Sequence, residues 1–252
     1  MRAIFTYHSI DSSGSAISVA EPDFRRHIRW FASGGVRVVA LEELVAADDT
    51  EDVVALTFDD AFQSFATIAA PLLQEHGLPA ALFVSTKRVG STNAWDVPSQ
   101  TKNIPILPLL DWDGIAGVAE RGVSVGSHAR THRRLTSLDS SSLADELEGS
   151  FDDLRRELGA APTALAYPYG DALEREREAA AAIYKIALST ELRSIGENED
   201  LHMLPRIDAY YLRVPGRLES FGTPAFKRYL RIRSRGRRLR ASVHRLLGQG
   251  GG

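Results

Sequence analysis

The sequence predicts an α/β protein, a distorted (β/α)7-like barrel with a basic C-terminal tail. Three observations carry this. Seven short, β-branched apolar runs recur along the chain, and each is continuous rather than alternating, as strands covered on both faces are. Helical patterns with recognisable start and stop residues separate them, the rhythm of repeated β/α units around a parallel sheet. Polar residues suited to chemistry collect just after the runs, at the strand ends where such barrels carry their working loops.

The elements follow in order along the 252 residues. Residues 4–7 form the first strand. Pro22 suits the first turn of a helix through residues 24–31, which Gly34 and Gly35 close. Residues 36–40 and 53–58 are the second and third strands. Residues 63–76, closed by Gly77, read as a helix that Pro71 should kink. Residues 80–85 make the fourth strand, and residues 86–110, with Pro98, Pro105 and Pro108, one long irregular segment. Asp111 or Asp113 caps a helix ending at Gly122, before the fifth strand at 123–127. A helix over 140–158, closed by Gly159, precedes the sixth strand at 164–167. A helix over 171–182 leads into the seventh strand at 183–189, and a short final strand is expected within 202–207. No internal repeat or linker interrupts this series. Residues 1–225 are expected to form the barrel domain and residues 226–252 a basic extension.

Composition excludes several classes. Hydrophobic residues make up 44% and charged residues 25%, as in ordinary globular proteins. Cysteine is absent, which rules out disulfides, thiolate metal sites and a cysteine nucleophile. No apolar run approaches the ~20 residues of a membrane span, and no signal-peptide pattern opens the chain, so a cytoplasmic protein is expected. The net charge of -3 hides an asymmetry: nine Lys or Arg lie between Lys227 and Arg245, and no acid follows Glu219. The preceding residues carry 21 basic against 33 acidic side chains, a net of -12. Such a tail, with interleaved apolar residues, can pack on the acidic body or lie on an anionic membrane at its inner face. Ser234 and Gly236 weaken its helical propensity. Nucleic acid is not an expected partner.

Two motifs carry the chemistry. Thr57-Phe58-Asp59-Asp60 ends the third strand, and Ser127-His128-Ala129-Arg130-Thr131-His132 ends the fifth. One carboxylate and two neutral imidazoles can hold a divalent metal while leaving positions open for water and substrate. The second carboxylate can then act as a base toward that water. On the residues alone, either aspartate can take either role. His8, Tyr169, Asp171, Arg206 and Asp208 also fall at strand ends.

These motifs resemble those of the polysaccharide deacetylases of carbohydrate esterase family 4, the NodB homology domain. The first is Leu56 to Asp60, the second Gly126 to His132 with Leu135 beyond it, and the third Ala166-Tyr167-Pro168-Tyr169-Gly170. Smaller echoes are Tyr7-His8-Ser9-Ile10, Gly77-Leu78-Pro79-Ala80 and Leu204-Pro205-Arg206-Ile207, so the resemblance spans about residues 1–215. It implies a distorted (β/α) barrel. It also implies Asp60, His128 and His132 as metal ligands, Asp59 as catalytic base, and a divalent ion, zinc first with cobalt, nickel or manganese as alternatives. The backbone N–H of Tyr169, or a nearby donor, would stabilise the oxyanion. The substrate would be an N-acetylated amino sugar in a poly- or oligosaccharide or a glycan precursor, and the products acetate and a free amine.

The chain departs from the family pattern in two places. An arginine that braces the base in many members is replaced by Ala166, and the late leucine-x-histidine motif has no match, since His202 is off by one. Arg206 is the candidate replacement brace or oxyanion ligand, and His8 a candidate at the same rim. Trp95, beside Asp96 in the irregular segment, is the candidate for stacking on a sugar, with Tyr169 as a second substrate contact. Trp30 reads as core and Trp112 as a helix anchor. His27, His76 and His244 read as structural or solvated. Two other readings use the same residues: hydrolysis of another small amide, imide or N-formyl group, and a non-catalytic carbohydrate-binding relative.

Overall fold

The computed structural model describes residues 1–48, 52–95 and 104–248, with the side chains of the last helix given to Arg237 and at Leu239. In chain order its elements are β1 (Arg2–Tyr7), β2 (Ser9–Ile10), β3 (Ser18–Val19), α1 (Glu21–Ala32), β4 (Arg37–Val38), α2 (Leu41–Ala46) and β5 (Val53–Phe58). A π-helical turn, Phe65–Ala69, runs into α3 (Ala70–Glu75), followed by β6 (Ala81–Val84), α4 (Trp112–Ala119), β7 (Ser124–Ser127) and α5 (Ser140–Leu158). The series closes with β8 (Ala164–Ala166), α6 (Glu174–Ala181), β9 (Ile186–Leu188), β10 (Ile207–Asp208) and α7 (Pro224–Gly248).

The main sheet is parallel throughout, in the order β10-β1-β5-β6-β7-β8-β9. β1 occupies one whole edge of β5, from Arg2↔Val53 to Tyr7↔Phe58. The other edge must therefore be shared: β4 takes Val53 and Val54, β6 takes Thr57 and Phe58. The sheet curls into a half-barrel, and residues 204–208 bridge its gap. Leu204 pairs with Leu188 at the end of β9, and Ile207 and Asp208 pair with Phe5 and Thr6 of β1. The expected distorted (β/α) barrel is thus the observed fold. The short final strand exists but is displaced to Ile207–Asp208, because the chain first crosses from β9 to β1.

Period-2 geometry sorts the side chains. Phe5, Tyr7, Val54, Leu56, Phe58, Leu82 and Val84 point outward into a core covered by α1 and the other helices. Ile4, Val53, Ala55, Ala81, Phe83, Ala164, Ala166, Ile186, Leu188 and Leu204 point inward and fill the barrel. Gly126 belongs to this inward set. A Cβ there would stand 2.5 Å from Phe83 Cε1 and 2.9 Å from the Ala164 carbonyl, so only glycine fits beneath the phenyl ring.

Caps fall where the sequence places them. Asp111 Oδ1 accepts from Gly114 N at the start of α4, Asp139 from Ser142 N at the start of α5, and Gly159 ends α5 with φ 71°. Pro71 does not kink a continuous α-helix. It sits in the first turn of α3, and the turn before it widens to π geometry, which absorbs the missing N–H. His27 is buried, its Nε2–H donating to Leu212 O and its Nδ1 accepting from the Tyr7 hydroxyl. Trp30 and Trp112 are partly buried against the outer core. α7 begins at Pro224 and is continuous through Ser234 and Gly236, with Phe226 and Leu230 seated in the outer core. Packing of those two residues overrides the weak propensity that follows them.

Candidate metal centre and its cleft

The inward register of each strand continues past its end and delivers the polar residues to one rim. Asp59 follows Val53, Ala55 and Thr57, and its N–H still bonds Tyr7 O at 2.9 Å. His128 follows Gly126, its N–H bonding Val84 O at 2.8 Å. Arg206 follows Leu204. Asp60 should by this alternation point outward, but its φ is 72°, and this left-handed step swings its carboxylate back over the rim.

Asp60, His128 and His132 converge there, their ligand atoms all within 4.8 Å of one another and all three side chains buried. Asp60 Oδ1 lies 3.5 Å from His128 Nε2 and 3.3 Å from His132 Nε2, and neither contact is aligned as a hydrogen bond. His128 Nδ1 faces the Ala166 carbonyl at 2.6 Å; a carbonyl only accepts, so Nδ1 carries the proton and Nε2 presents a lone pair. Burial pushes the His128 imidazolium down to about 4, partly offset by Asp59, so the ring is neutral near pH 7. Burial opposes ionisation of Asp60, but the His132 and His128 rings outweigh it and hold its carboxyl below the usual range. A buried carboxylate oxygen without a hydrogen bond, facing an imidazole lone pair, is the donor set a divalent cation satisfies. The residues present fit such an ion.

Asp59 is differently held. Arg206, whose side chain is 0% exposed, grips it with two 2.7 Å bonds, Nη1 to Oδ1 and Nη2 to Oδ2. The guanidinium is itself fixed by Ser189 O, Thr6 Oγ1 and Thr57 Oγ1 at 2.9, 3.1 and 3.4 Å. Burial would raise the Asp59 pKa, yet the Arg206 charge overrides it and keeps the carboxyl well below the carboxylate range. His8 Nε2 stands 3.8 Å from Asp59 Oδ2.

Five of the six non-glycine residues with positive φ among the described residues lie here: Asp60, Ala61, Ala129, His132 and Tyr169. Each costs roughly 1–2 kcal/mol in an L-residue, so the rim stores several kcal/mol that surrounding bonds must hold. The turn between the two histidines is held from both sides. Thr86 N and Lys87 N donate to Ala129 O and Arg130 O on one side. On the other, Glu146 of α5 accepts from Arg130 N (2.8 Å), Thr131 N (2.9 Å) and the Thr131 hydroxyl. Arg130 Nε also bonds Asp153 Oδ2 at 3.1 Å, crossing α5 at Gly149, where a Cβ would lie 2.5–2.8 Å from the Arg130 side chain. No sequence motif marks Glu146 or Asp153. Acids seven residues apart on the helix face that buries Leu143, Leu147 and Leu154 were the available signal.

The rim opens into a cleft of about 650 Å³, whose lining includes His8, Asp59, Trp95, Ile106 and Tyr169 beside the three ligand candidates. Trp95 stacks on the His132 ring at 4.2 Å, and Tyr169 meets the same ring edge-on at 4.8 Å. Arg134 lies over the Tyr169 ring at 4.2 Å. All the expected site residues, Asp59, Asp60, His128, His132, Tyr169, Arg206, His8 and Trp95, are therefore brought together. Asp96 lies outside the described residues. His202 stands apart, its Nε2 bonding Tyr184 O at 3.0 Å.

Fold and site define a class: curled (β/α) barrels with a carboxylate and two histidines converging at the C-terminal rim, beside a second, arginine-bound carboxylate. The family model for polysaccharide deacetylases matches residues 46–185, and the chain belongs to that family. It is 26% identical over 213 residues to the Bacillus subtilis protein YxkH, itself described as a polysaccharide deacetylase, covering 81% of this chain and 70% of that one. It is 25% identical over 166 residues to the poly-β-1,6-N-acetyl-D-glucosamine N-deacetylase of Staphylococcus epidermidis, covering 61% of this chain but only 54% of that protein. The Streptococcus pyogenes deacetylase PplD, solved with acetate, shares the fold with a TM-score of 0.70 at 22% identity, over 82% of this chain and 91% of that one.

Proposed function

We propose that this protein is a metal-dependent hydrolase that removes N-acetyl groups from an amino sugar within a poly- or oligosaccharide. The observation that carries the reading is the divergence of two adjacent aspartates, Asp60 toward two histidines and Asp59 into the arms of Arg206. Family membership and the N-deacetylase relative support the substrate class.

Asp60, His128 and His132 would hold the ion, which supplies Lewis acidity for the amide carbonyl and lowers the pKa of water. Asp59 is the base. Arg206 keeps it ionised and fixes both oxygens, so its free lone pairs face the cleft, where it removes the proton as water attacks the carbonyl carbon. The resulting oxyanion is met by the backbone N–H of Tyr169. His8, whose Nε2 stands 3.8 Å from Asp59 Oδ2, relays that proton from Asp59 to the amide nitrogen as the C–N bond breaks, giving acetate and a free amine. Trp95 serves two purposes: it packs His132 in place and forms, with Ile106 and Tyr169, the wall against which a sugar ring lies.

The test is acetate release from N-acetylated glucosamine oligomers by protein stripped with chelator and reloaded with zinc, cobalt, nickel or manganese. The reading requires turnover that depends on added metal and falls at least a hundredfold in Asp59→Asn, a loss of the size a general base supplies. Turnover of N-formyl or imide substrates but not N-acetyl sugars would assign the site to another amide.

A further inference from the structure

α7 climbs the barrel toward its catalytic rim. Phe226 and Leu230 seat its first turns in the core. Two turns later Arg237 Nη2 donates to Thr190 Oγ1 at 3.1 Å. Thr190 lines the cleft, and its hydroxyl donates to Tyr169 O. Eleven further residues reach Gly248, a rise of ~16 Å beyond Arg237 at 1.5 Å per residue.

The helix is of one charge. Nine basic residues lie between Lys227 and Arg245 with no acid among them, against a net of -12 on the preceding chain. Arg228, Ile232, Arg235 and Leu239 follow one another at spacings of four, three and four, which puts them on one stripe. All four are exposed, Ile232 by 59% and Leu239 by 67%. Beside this stripe a cavity of about 440 Å³ separates α7 from residues 192–194, with Lys227, Arg231 and Arg235 around Leu192 and Leu230, while Arg193 on its far wall is paired with Glu191 and Glu199. Cations ringing an apolar floor match a phosphate headgroup and the first methylenes below it.

We infer that α7 docks on an anionic phospholipid surface and thereby turns the mouth of the cleft toward that surface. The guanidinium groups meet lipid phosphates, and Ile232 and Leu239 sink between the acyl-chain heads. The charge separation sets the orientation, because the acidic body is repelled by the same surface that attracts the helix. Among the described residues no helix is long and apolar enough to cross a membrane, so the contact is peripheral. Nucleic acid would satisfy the arginines but leaves the two exposed aliphatic side chains without a partner. A second copy is opposed by the like charge of the helix. The inference is independent of which saccharide the cleft accepts.

Flotation of the full chain with phosphatidylcholine vesicles, with and without phosphatidylglycerol, tests it. Binding should require phosphatidylglycerol and fall tenfold or more between low salt and ~0.5 M, as screening shortens the reach of the charges. The triple variant Arg228→Gln/Arg231→Gln/Arg235→Gln should bind at least tenfold more weakly, since each basic residue near such a surface contributes about fivefold. Ile232→Ser/Leu239→Ser should weaken binding while retaining its salt dependence. Both variants should melt with the wild type and hydrolyse a soluble substrate at its rate. Failure of the wild type to float with phosphatidylglycerol overturns the inference. So does displacement from vesicles by single-stranded DNA or RNA combined with no effect of Ile232→Ser/Leu239→Ser.

Discussion

Replacing Arg206 with methionine removes the guanidinium bound to the buried Asp59 carboxylate and the clasp between β9, β1 and β5. The side chain is 0% exposed and makes five hydrogen bonds, two of them at 2.7 Å to Asp59, which is itself 2% exposed. Stranding a buried charge by deleting its partner costs about 3–5 kcal/mol. For a chain of this length that corresponds to a fall in melting temperature of roughly 6–20 °C. The wild-type contribution has a definite pH sign. The Asp59 carboxyl titrates below its unfolded value of 3.8, so its stabilisation is complete above about pH 4 and is lost only as pH falls further. Urea unfolding at pH 7 of wild type, Arg206→Met, Asp59→Asn and the double variant forms the assay. The double variant no longer buries an unpaired charge, so it should be more stable than Arg206→Met, with a coupling energy of at least about 2 kcal/mol. Arg206→Lys keeps the charge but not the fork and should fall between. Additive effects, or a loss below about 1 kcal/mol in Arg206→Met, would refute the bracing role.

Glu146→Ala should weaken metal binding about 10–100-fold, as loss of a group supporting a ligand does, with Glu146→Gln recovering part of it; competition against a chromophoric chelator reads this without turnover. Gly126→Ala should destabilise by about 1–3 kcal/mol because its Cβ overlaps the Phe83 ring, and Phe83→Leu in the same chain should relieve part of the cost in urea unfolding, the close approach to the Ala164 carbonyl remaining. Burial pushes His27 down to about 4 from 6.5, so its contribution is full above pH 6.5 and erodes as pH falls toward 4. Between pH 7 and 4.5 wild type should therefore lose about 2–3 kcal/mol more than His27→Gln, measured by urea unfolding at the two pH values.

Much of this site is visible in the sequence because strand periodicity and motif position coincide. Continuous apolar runs such as residues 53–58 identify buried parallel strands, and Asp59, His128 and Arg206 then share a rim by parity alone. Less visible are the features decided by long-range geometry. That Arg206 reaches Asp59 depends on residues 204–208 closing the barrel across 147 positions. The placement of Asp60 beside His128 and His132 depends on a left-handed φ that no local propensity of aspartate requires. Glu146 is hidden for another reason: a helix acid reads as solvated until the turn it clamps is known to lie over that face. The π turn before Pro71 and the unbroken course of α7 are tertiary outcomes, where packing of Phe226 and Leu230 outweighs the propensity of Ser234 and Gly236.

The division of labour between Asp59 and Asp60 is open to a measurement of metal stoichiometry. Purified wild type, Asp59→Asn, Asp60→Asn and His128→Ala would be stripped, titrated with zinc and analysed for bound ion per chain. Wild type and Asp59→Asn should each bind one ion per chain, although the latter no longer hydrolyses substrate, and Asp60→Asn and His128→Ala should lose stoichiometric binding. Equal loss of metal in Asp59→Asn and Asp60→Asn, or no stoichiometric ion in the wild type, would contradict that division.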